Sequence, residues 1–318
     1  MDNLESNSDA PIVSIVVCTR NRSDKLRACL TAIQRMKPTA SSELVVVDNG
    51  STDETPRVLE EFRSKMGATM ITATEARRGL SRGLNRALAL TRGEIIVFVD
   101  DDCYPAPDLI ERTVEAMHLR HLDYVGGRIE LYDTADASIT TKTDPEPLDI
   151  PPMTHIRPGL LHGCNMAVRR SVFDKIGAFD PLMGVGGLLR SAGDVDLLQR
   201  ASLAGFVGGY EPSVVTFHHH GRRDAAVAQL MRRYSVGKGA YYGKILLLNP
   251  RFAIRILAER RAAVGSTIGL LKRIYWALRR DVVAASCIAF GFGSCVIVYP
   301  IFSAIRCLRV AFRGRLAS

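Results

Sequence analysis

Short runs of apolar, mostly β-branched residues alternate along the chain with stretches in which apolar residues recur at helical spacing. The first part of the chain contains four such runs, at residues 12–18, 44–48, 70–75 and 95–99. A continuous apolar run of this length is typical of a strand that is buried on both faces of a sheet. Strands that alternate with amphipathic helices predict an α/β fold, in which helices flank a mostly parallel, Rossmann-like sheet.

The pattern continues less regularly after the fourth run. Residues 106–122 have the spacing of a helix, residues 124–131 form a further strand-like run, and residues 194–206 predict a helix that opens with two acids. Between these elements, residues 140–158 contain five prolines and little periodicity. A loop of that length indicates a substrate-side element rather than a simple connection.

The fourth apolar run leads directly into three consecutive aspartates, in the segment IIVFVDDDCYP. The functional groups of such a sheet gather beyond the carboxyl ends of its strands, where Asp48 is also expected. Because alternate side chains of an extended chain share a face, Asp100 and Asp102 are predicted to point the same way and Asp101 the opposite way. With no basic residue nearby in sequence, a bound Mg²⁺ or Mn²⁺ would relieve their repulsion. A solvated turn before Pro105 is the alternative.

The charge of the chain is concentrated at one end. The net charge of the 318 residues is +9, but residues 251–318 alone contain 12 Lys and Arg against two acids. The basic composition therefore says nothing about the partner of the main body. The seven cysteines have no CxxC spacing, which argues against a zinc ribbon or a disulfide framework and fits a reducing compartment. The polar N-terminus has no signal-peptide pattern, so we expect a cytosolic body.

The C-terminal region combines apolar and basic residues. Residues 282–305 contain no charged residue over 24 positions, which is long enough to cross a bilayer, and arginines flank them on both sides. The segment before them mixes basic and apolar residues as an amphipathic surface helix does, with Tyr275 and Trp276 as interface anchors. We expect this region to associate with a membrane, by lying on it or by spanning it. The alternative is a helical subdomain with solvated arginines, and the apolar content disfavours nucleic-acid binding.

Five blocks of the sequence, taken in order, resemble the family 2 glycosyltransferases. The blocks cover roughly residues 12–220 and read VSIVVCTRNR, LVVVDNGSTD, GLSRGLNRAL…GEIIVFVDDDCYP, GCNMAVRRSVFDKIGAFD and GDVDLLQRASLAGF…YEPSVVTFHHH. The resemblance implies the GT-A fold. With the composition of the two ends, we expect a catalytic domain at residues 12–245, a disordered N-terminus at 1–11 and the membrane-associated helical region at 246–318.

The resemblance assigns the strand-end residues to the donor. Those implied to bind the nucleotide are Thr19, Arg20, Asn21, Asp48, Asp100 and Asp101. The DxD pair, Asp100 and Asp102, would hold Mn²⁺ or Mg²⁺ on the diphosphate, and His218 is a further candidate ligand of the ion.

The resemblance also implies which residues act on the sugar and its acceptor. Asp194 matches the position of the catalytic base, although Gly193 stands where the family usually has a glutamate. Gly163, Asn165 and Asp196 lie in blocks that contact the donor or acceptor sugar. Asp194 at the start of a helix has a purely structural alternative, since the helix dipole favours an acid there.

The implied activity is transfer of a sugar from a nucleoside diphosphate donor, with a UDP-sugar as first choice, to a hydroxyl of a glycan or lipid-linked acceptor. A single displacement with inversion would take place at the cytoplasmic face of the cell membrane. One alternative is a sugar-nucleotide nucleotidyltransferase, which needs a glycine-rich loop that TRNRSDK lacks. A non-catalytic sugar-nucleotide-binding protein is the other alternative.

Overall fold

A computed structural model describes residues 11–36, 40–264 and 286–299. The described residues divide into two compact units. The first unit extends to Asp224 apart from two short segments, 182–184 and 188–192, and the second contains those segments and the described residues from 225 onward. The predicted domain boundaries stay predictions, and the N-terminal residues 1–10 lie outside the described residues.

The first unit consists of nine strands and six helices among its described residues. The strands are β1 (Val13–Thr19), β2 (Ser42–Asp48), β3 (Met70–Thr74), β4 (Ile95–Asp100), β5 (Cys103–Pro105), β6 (Tyr124–Leu131), β7 (Leu148–Ile150), β8 (Asn165–Arg169) and β9 (Gly208–His218). The helices are α1 (Ser23–Arg35), α2 (Thr55–Met66), α3 (Leu80–Leu88), α4 (Leu109–Leu119), α5 (Arg170–Ile176) and α6 (Gly193–Leu203). The four predicted apolar runs are β1 to β4.

The strands form one mixed sheet in the order β3-β2-β1-β4-β8-β6-β9-β5, with β7 paired to β9. Strands β3, β2, β1 and β4 are parallel, but β8 runs antiparallel to both β4 and β6. The prediction of a mostly parallel sheet is therefore wrong for the second half. The sequence of β8, NMAVR, is short and begins and ends with polar residues, so it lacks the long apolar run by which the other central strands were recognised.

The order of the strands reverses beside β1. The chain builds outward from β1 to β2 and β3, and then returns to place β4 on the other side of β1. Connections leave β1 and β4 in opposite directions at this point, which opens a crevice at their carboxyl ends. Thr19 is the last residue of β1 and Asp100 is the last residue of β4, so both lie at this crevice.

The core explains why the apolar runs are strands. All seven residues of β1 are buried, as are the five apolar residues of β4. One face of α1 covers the sheet with Leu26, Cys29 and Leu30, each 0% exposed. Removing apolar surface from water stabilises a fold by roughly 25 cal/mol per Å², so this doubly covered sheet is the rigid part on which the strand-end residues are held.

The buried carboxylate of Glu43 links three segments of the sheet. The Glu43 side chain, in β2, is buried and accepts hydrogen bonds from Ser14 Oγ at 2.7 Å, from the Arg92 backbone N–H at 2.6 Å and from Arg92 Nε at 2.9 Å. Ser14 Oγ in turn accepts a hydrogen bond from the Gly93 N–H at 2.8 Å. Burial by itself would raise the pKa of Glu43, but these donors outweigh it and lower the pKa. The carboxylate therefore joins β1 and β2 to the turn that precedes β4.

We expect Glu43→Gln to lower the free energy of unfolding by about 2 kcal/mol. The substitution replaces one carboxylate oxygen by an NH₂ group, which cannot accept the hydrogen bond that Ser14 or Arg92 donates to that oxygen. The measurement is the urea midpoint of the purified protein. Glu60→Gln is the control. Glu60 is exposed, and its Oε2 lies 4.0 Å from Arg63 Nη1; a surface ion pair of this kind contributes less than about 1 kcal/mol to stability. Equal midpoints for the two variants would contradict the structural role of Glu43.

Among its described residues, the second unit is almost entirely helical from residue 225 onward. It contains α7 (Asp224–Leu248), α8 (Pro250–Val264) and a helix over residues 286–299, here called α9. Glycines let α7 and α9 approach closely, because a Cβ on Gly239 would lie 1.9 Å from the Ile288 carbonyl and one on Gly291 would lie 1.8 Å from the Val236 carbonyl.

No described helix combines the length and the apolar character that crossing a bilayer requires. Of the predicted apolar segment 282–305, only residues 286–299 are described. Of the predicted amphipathic segment at 251–280, residues 265–280, which include Tyr275 and Trp276, lie outside the described residues.

Candidate active site

The aspartates after β4 are bound by an arginine from the start of α1. Arg22 Nη1 lies 2.7 Å from Asp101 Oδ1, and Arg22 Nη2 lies 2.6 Å from Asp102 Oδ2. Thr19 Oγ1 donates a further hydrogen bond to Asp101 Oδ2 at 2.7 Å. Both carboxylates are almost fully buried, with side-chain exposures of 5% and 2%. One positive charge from a distant part of the sequence is therefore shared between two of the three acids.

The predicted opposite orientation of Asp101 and Asp102 is wrong, because both contact one guanidinium group. The alternation of side chains holds only within an extended strand. Strand β4 ends at Asp100, and Asp101 and Asp102 form a turn before β5 begins at Cys103. The turn rotates the two side chains toward the same partner.

Asp100 differs from its neighbours. No described residue donates a hydrogen bond to its half-buried carboxylate, whereas burial and the charges of Asp102 and Asp101 raise its pKa to about 7. Burial also raises the pKa of Asp101, to about 6, against the opposing charge of Arg22. For Asp102, burial is outweighed by the hydrogen bond from His218 and by the Arg22 charge, which hold its pKa well below the usual range. The raised pKa means that a third ionised carboxylate, at Asp100, is disfavoured unless a cation accompanies it.

This arrangement fits a divalent cation. Asp100 offers carboxylate oxygens that no described group occupies, and Mg²⁺ and Mn²⁺ prefer such oxygen ligands. A cation there would remove the repulsion that raises the pKa of Asp100. Asp102 and the predicted ligand His218 lie beside it, with His218 Nε2 at 3.5 Å from Asp102 Oδ1. The structure therefore brings together all three predicted metal ligands.

The other residues predicted to bind the nucleotide lie at the ends of β1 and β2, where they order the neighbouring loop. Asp48 Oδ1 accepts a hydrogen bond from the Ser51 N–H at 2.8 Å. Asn21 Oδ1 accepts one from the Thr52 N–H at 2.7 Å, and Arg20 Nη1 donates to the Asn49 carbonyl at 3.1 Å. Asp48 thus orders the turn that follows β2, and its contact with a nucleotide stays a prediction.

Asp194 is held at the first turn of α6. Its Oδ2 accepts a hydrogen bond from the Gly163 N–H at 3.0 Å and its Oδ1 accepts one from the Val195 N–H at 2.9 Å. The carboxylate is only half-buried. The hydrogen bond with Cys103 lowers the pKa of the Cys164 thiol, but burial and the negative charges of Asp100, Asp102 and Asp194 raise it overall. The predicted base therefore belongs to the same region as the strand-end acids, with a backbone contact to the predicted sugar-block residue Gly163.

A histidine next to Gly163 lies within this region too. Burial lowers the pKa of His162, against the opposing effect of Asp194, and the charge of His218 lowers it further. A neutral imidazole at this position adds no positive charge that would compete with Arg22 for the carboxylates.

Two predicted sugar-binding residues use their side chains elsewhere. Asn165 is 1% exposed, and its Nδ2 donates to the Arg128 carbonyl at 2.8 Å and to the Val214 carbonyl at 2.9 Å. Asp196 is 3% exposed, and its Oδ2 accepts a hydrogen bond from Arg200 Nε at 3.0 Å. Both therefore contribute to packing around the site, and their contact with a sugar stays a prediction.

Sequence reasoning missed two functional residues. Arg22 is the last residue of the block TRNR, in which only Thr19, Arg20 and Asn21 were predicted to bind the nucleotide. Asn49 is 4% exposed, and its side chain donates to the Glu75 and Arg77 carbonyls and accepts from the Gly79 N–H at 2.8 Å. It thereby fixes the loop after β3 to the end of β2. The only available signal for Asn49 was its position directly after a buried strand, at the edge where such sites form.

Comparison with known proteins decides the family. The sequence model of glycosyl transferase family 2 matches residues 14–177, which is just over half of the chain. The chain belongs to glycosyl transferase family 2. The predicted resemblance is thus confirmed, and so is the prediction that this protein is a glycosyltransferase. The matched residues include β1 to β4, the three aspartates and Gly163.

Curated relatives of this family 2 glycosyltransferase carry related names. It is 26% identical over 234 residues to glycosyltransferase AglE of Haloferax volcanii, which covers 73% of this chain and 74% of that protein. It is 36% identical over 102 residues to a PGL/p-HBAD biosynthesis glycosyltransferase of Mycobacterium tuberculosis, which covers 31% of this chain and 40% of that protein.

Solved structures show the same fold. A mannosyltransferase, PcManGT from Pyrobaculum calidifontis in complex with GDP-Man and Mn²⁺, superposes with a TM-score of 0.60 at 20% identity, over 90% of this chain and 87% of that one. S. aureus TarS 1–349 in complex with UDP-GlcNAc gives a TM-score of 0.53 at 17% identity, over 91% of each chain. The predicted GT-A fold is confirmed, with the mixed sheet described above.

Proposed function

We propose that this glycosyltransferase moves a sugar from a nucleoside diphosphate sugar to a hydroxyl of a glycan or lipid-linked acceptor. The observation that carries the proposal is the Asp100 carboxylate, which has no described hydrogen-bond donor and faces two further acids at the crevice between β1 and β4. A site with surplus negative charge does not bind a diphosphate unless a cation accompanies it. Solved relatives support this class of donor, since they bind GDP-Man with Mn²⁺ and UDP-GlcNAc.

Asp100 and Asp102 would hold Mn²⁺ or Mg²⁺, with His218 as a further candidate ligand. When bound, such an ion stabilises the negative charge that develops on a leaving diphosphate. Arg22 keeps Asp102 ionised and oriented through its 2.6 Å contact, and Thr19 does the same for Asp101 through its 2.7 Å hydrogen bond. These residues preorganise the acids before a donor arrives.

Asp194 would accept the proton of the acceptor hydroxyl. A hydroxyl is a poor nucleophile at neutral pH until a positioned base takes its proton as the new bond forms. The backbone N–H groups of Gly163 and Val195 each bind a different oxygen of Asp194. A carboxylate has about four lone-pair sites in all, so acceptor capacity remains. Attack assisted by Asp194 from the face opposite the diphosphate would invert the anomeric carbon.

The C-terminal region would keep the enzyme at a membrane, on its cytoplasmic face. Residues 251–318 hold 12 Lys and Arg, and on α8 the apolar side chains of Ile254 and Leu257 are 64% and 59% exposed. Basic and exposed apolar residues together favour an anionic lipid surface. The enzyme would then reach a lipid-linked acceptor while it stays bound to the membrane.

A panel of UDP-, GDP- and dTDP-sugars, each with Mn²⁺, tests the donor class through thermal stabilisation of the full chain. A ligand at a hundredfold excess over its Kd stabilises by about 2.7 kcal/mol, or roughly 5–10 °C in Tm for a domain of this size. We expect one nucleotide class to give this shift with Mn²⁺ and much less with EDTA.

Asp102→Asn is the matched variant for this panel, because it keeps the shape of the side chain and removes its charge. We expect it to lose the Mn²⁺-dependent part of the shift. If no donor raised the Tm of the wild-type protein with Mn²⁺, or if Asp102→Asn responded as wild type does, the proposal would be wrong.

A further inference from the structure

Two thiols and an imidazole come together in the interior beside the oxygen cluster, and the imidazole is that of His218, the further candidate ligand of the oxygen site. Cys103, Cys164 and His218 are buried, and a ligand atom from each lies within 4.8 Å of the other two. The sheet produces this cluster, because β5 and β9 pair antiparallel with Cys103 directly opposite His218. Cys164 immediately precedes β8. The three residues are far apart in sequence, and the strand order brings them together.

His218 indicates that the cluster is suited to a ligand. The residue is 4% exposed, and its Nδ1 has no hydrogen-bond partner among the described residues. Its other ring nitrogen, Nε2, lies 3.5 Å from Asp102 Oδ1. A buried polar atom without a partner costs roughly 1–3 kcal/mol. A bound ion is one common partner of such an atom.

The two thiols complete the cluster. Cys103 and Cys164 are 0% and 4% exposed, and their side chains hydrogen-bond to each other. Tetrahedral Zn²⁺ has Zn–S distances of about 2.3 Å and Zn–N distances of about 2.0–2.1 Å, which places neighbouring ligand atoms roughly 3.5–3.8 Å apart. Ligand atoms that lie up to 4.8 Å apart therefore need to approach one another by about 1.3 Å at most to reach that geometry.

We propose that Cys103, Cys164 and His218 form a binding site for a thiophilic divalent cation, namely Zn²⁺. Thiolate ligands select zinc over Mg²⁺ and Mn²⁺, which prefer oxygen. On binding, each thiol releases one proton to solvent, so two thiolates balance the charge of the ion, while the imidazole binds as a neutral donor. Three protein ligands leave the fourth position to a solvent oxygen, while Nε2 of His218 stays beside Asp102 Oδ1.

Cobalt spectroscopy tests this site on the full chain, reduced and freed of metal. Co²⁺ bound by thiolates gives a sulfur-to-cobalt charge-transfer band, which Co²⁺ bound only by oxygen does not give. We expect one equivalent of Co²⁺ to produce the band, and one equivalent of Zn²⁺ to abolish it. Cys103→Ser and Cys164→Ser are each expected to lose the band. Cys287→Ser, which changes a partly exposed cysteine in α9, is expected to keep it.

A second measurement needs no variant. X-ray absorption of the zinc-loaded wild-type protein is expected to show two sulfur ligands at about 2.3 Å, with nitrogen or oxygen ligands at about 2.0–2.1 Å. A folded wild-type protein without the cobalt band, a band unchanged in both serine variants, or a zinc shell without sulfur would each overturn the site. The donor panel is read separately, because its Mn²⁺-dependent shift is tested through Asp102→Asn, whereas the cobalt band requires the two thiols.

Discussion

Asp194→Asn is expected to lower kcat about 10²- to 10⁴-fold, the contribution usually made by a positioned general base. The asparagine keeps the size of the side chain and one oxygen, which still accepts the hydrogen bond from the N–H of Gly163 or of Val195. It cannot take the proton of an acceptor hydroxyl at neutral pH. Donor binding should change little, because the strand-end acids and Arg22 are untouched. The measurement is steady-state transfer with the donor found by the nucleotide panel, together with the donor Kd.

Asp196→Asn is the matched control for this prediction. It lies two residues away in α6, but its Oδ2 is committed to Arg200. We expect this variant to lower stability while keeping kcat within a few-fold. A kcat of Asp194→Asn close to that of wild type would mean that another group is the base, and Gly193 in place of the usual family glutamate makes this test particularly informative.

Replacing Arg22 by methionine is expected to lower the free energy of unfolding by about 3 kcal/mol in the absence of metal. Breaking a buried ion pair costs roughly 3–5 kcal/mol, because an uncompensated charge is left behind. The lower end applies here since the Arg22 side chain is 31% exposed, whereas Asp101 and Asp102 are 5% and 2% exposed. Methionine retains most of the apolar length of the side chain. Chemical denaturation in EDTA gives the value.

The stabilisation by Mn²⁺ distinguishes a loss of charge in Arg22→Met from a loss of packing. Without Arg22 the cluster carries more negative charge, so Mn²⁺ should stabilise Arg22→Met more than it stabilises wild type. Arg27→Met is the control, because Arg27 pairs with Glu61 at the surface with 45% and 36% exposure, and such pairs contribute about 0–1 kcal/mol. A loss in Arg22→Met no larger than in Arg27→Met would contradict the role of Arg22.

The sequence was most informative where structure depends on local pattern. Strands β1 to β4 follow from their continuous apolar runs, and the acids that close β2 and β4 follow from where such strands end. Strand β8 was not predicted, because five residues with polar ends give no periodic signal. The mixed direction of the sheet depends on that strand, so it could not be predicted either.

The partners of the site residues were harder to predict than the residues themselves. Arg22 is 80 residues from Asp102 in sequence, and nothing local to either residue indicates their contact. The aspartates have no basic neighbour in sequence, but Arg22 reaches them through the fold. Asp101 was placed on the wrong face because strand geometry was extended into a turn. Cys103 and Cys164 meet only through the order of the strands.

The two partners of Asp102 come from opposite ends of the first unit. Arg22 follows β1, the first strand to be synthesised, and His218 ends β9, the last. Because contacts between distant segments require the intervening chain to be ordered first, they form late in folding and are slow to form. A nascent chain that stops before β9 would leave the acids only half neutralised. The enzyme is therefore expected to become competent for its ligands only once almost the whole of this unit has emerged and closed, so that partial translation products stay inert.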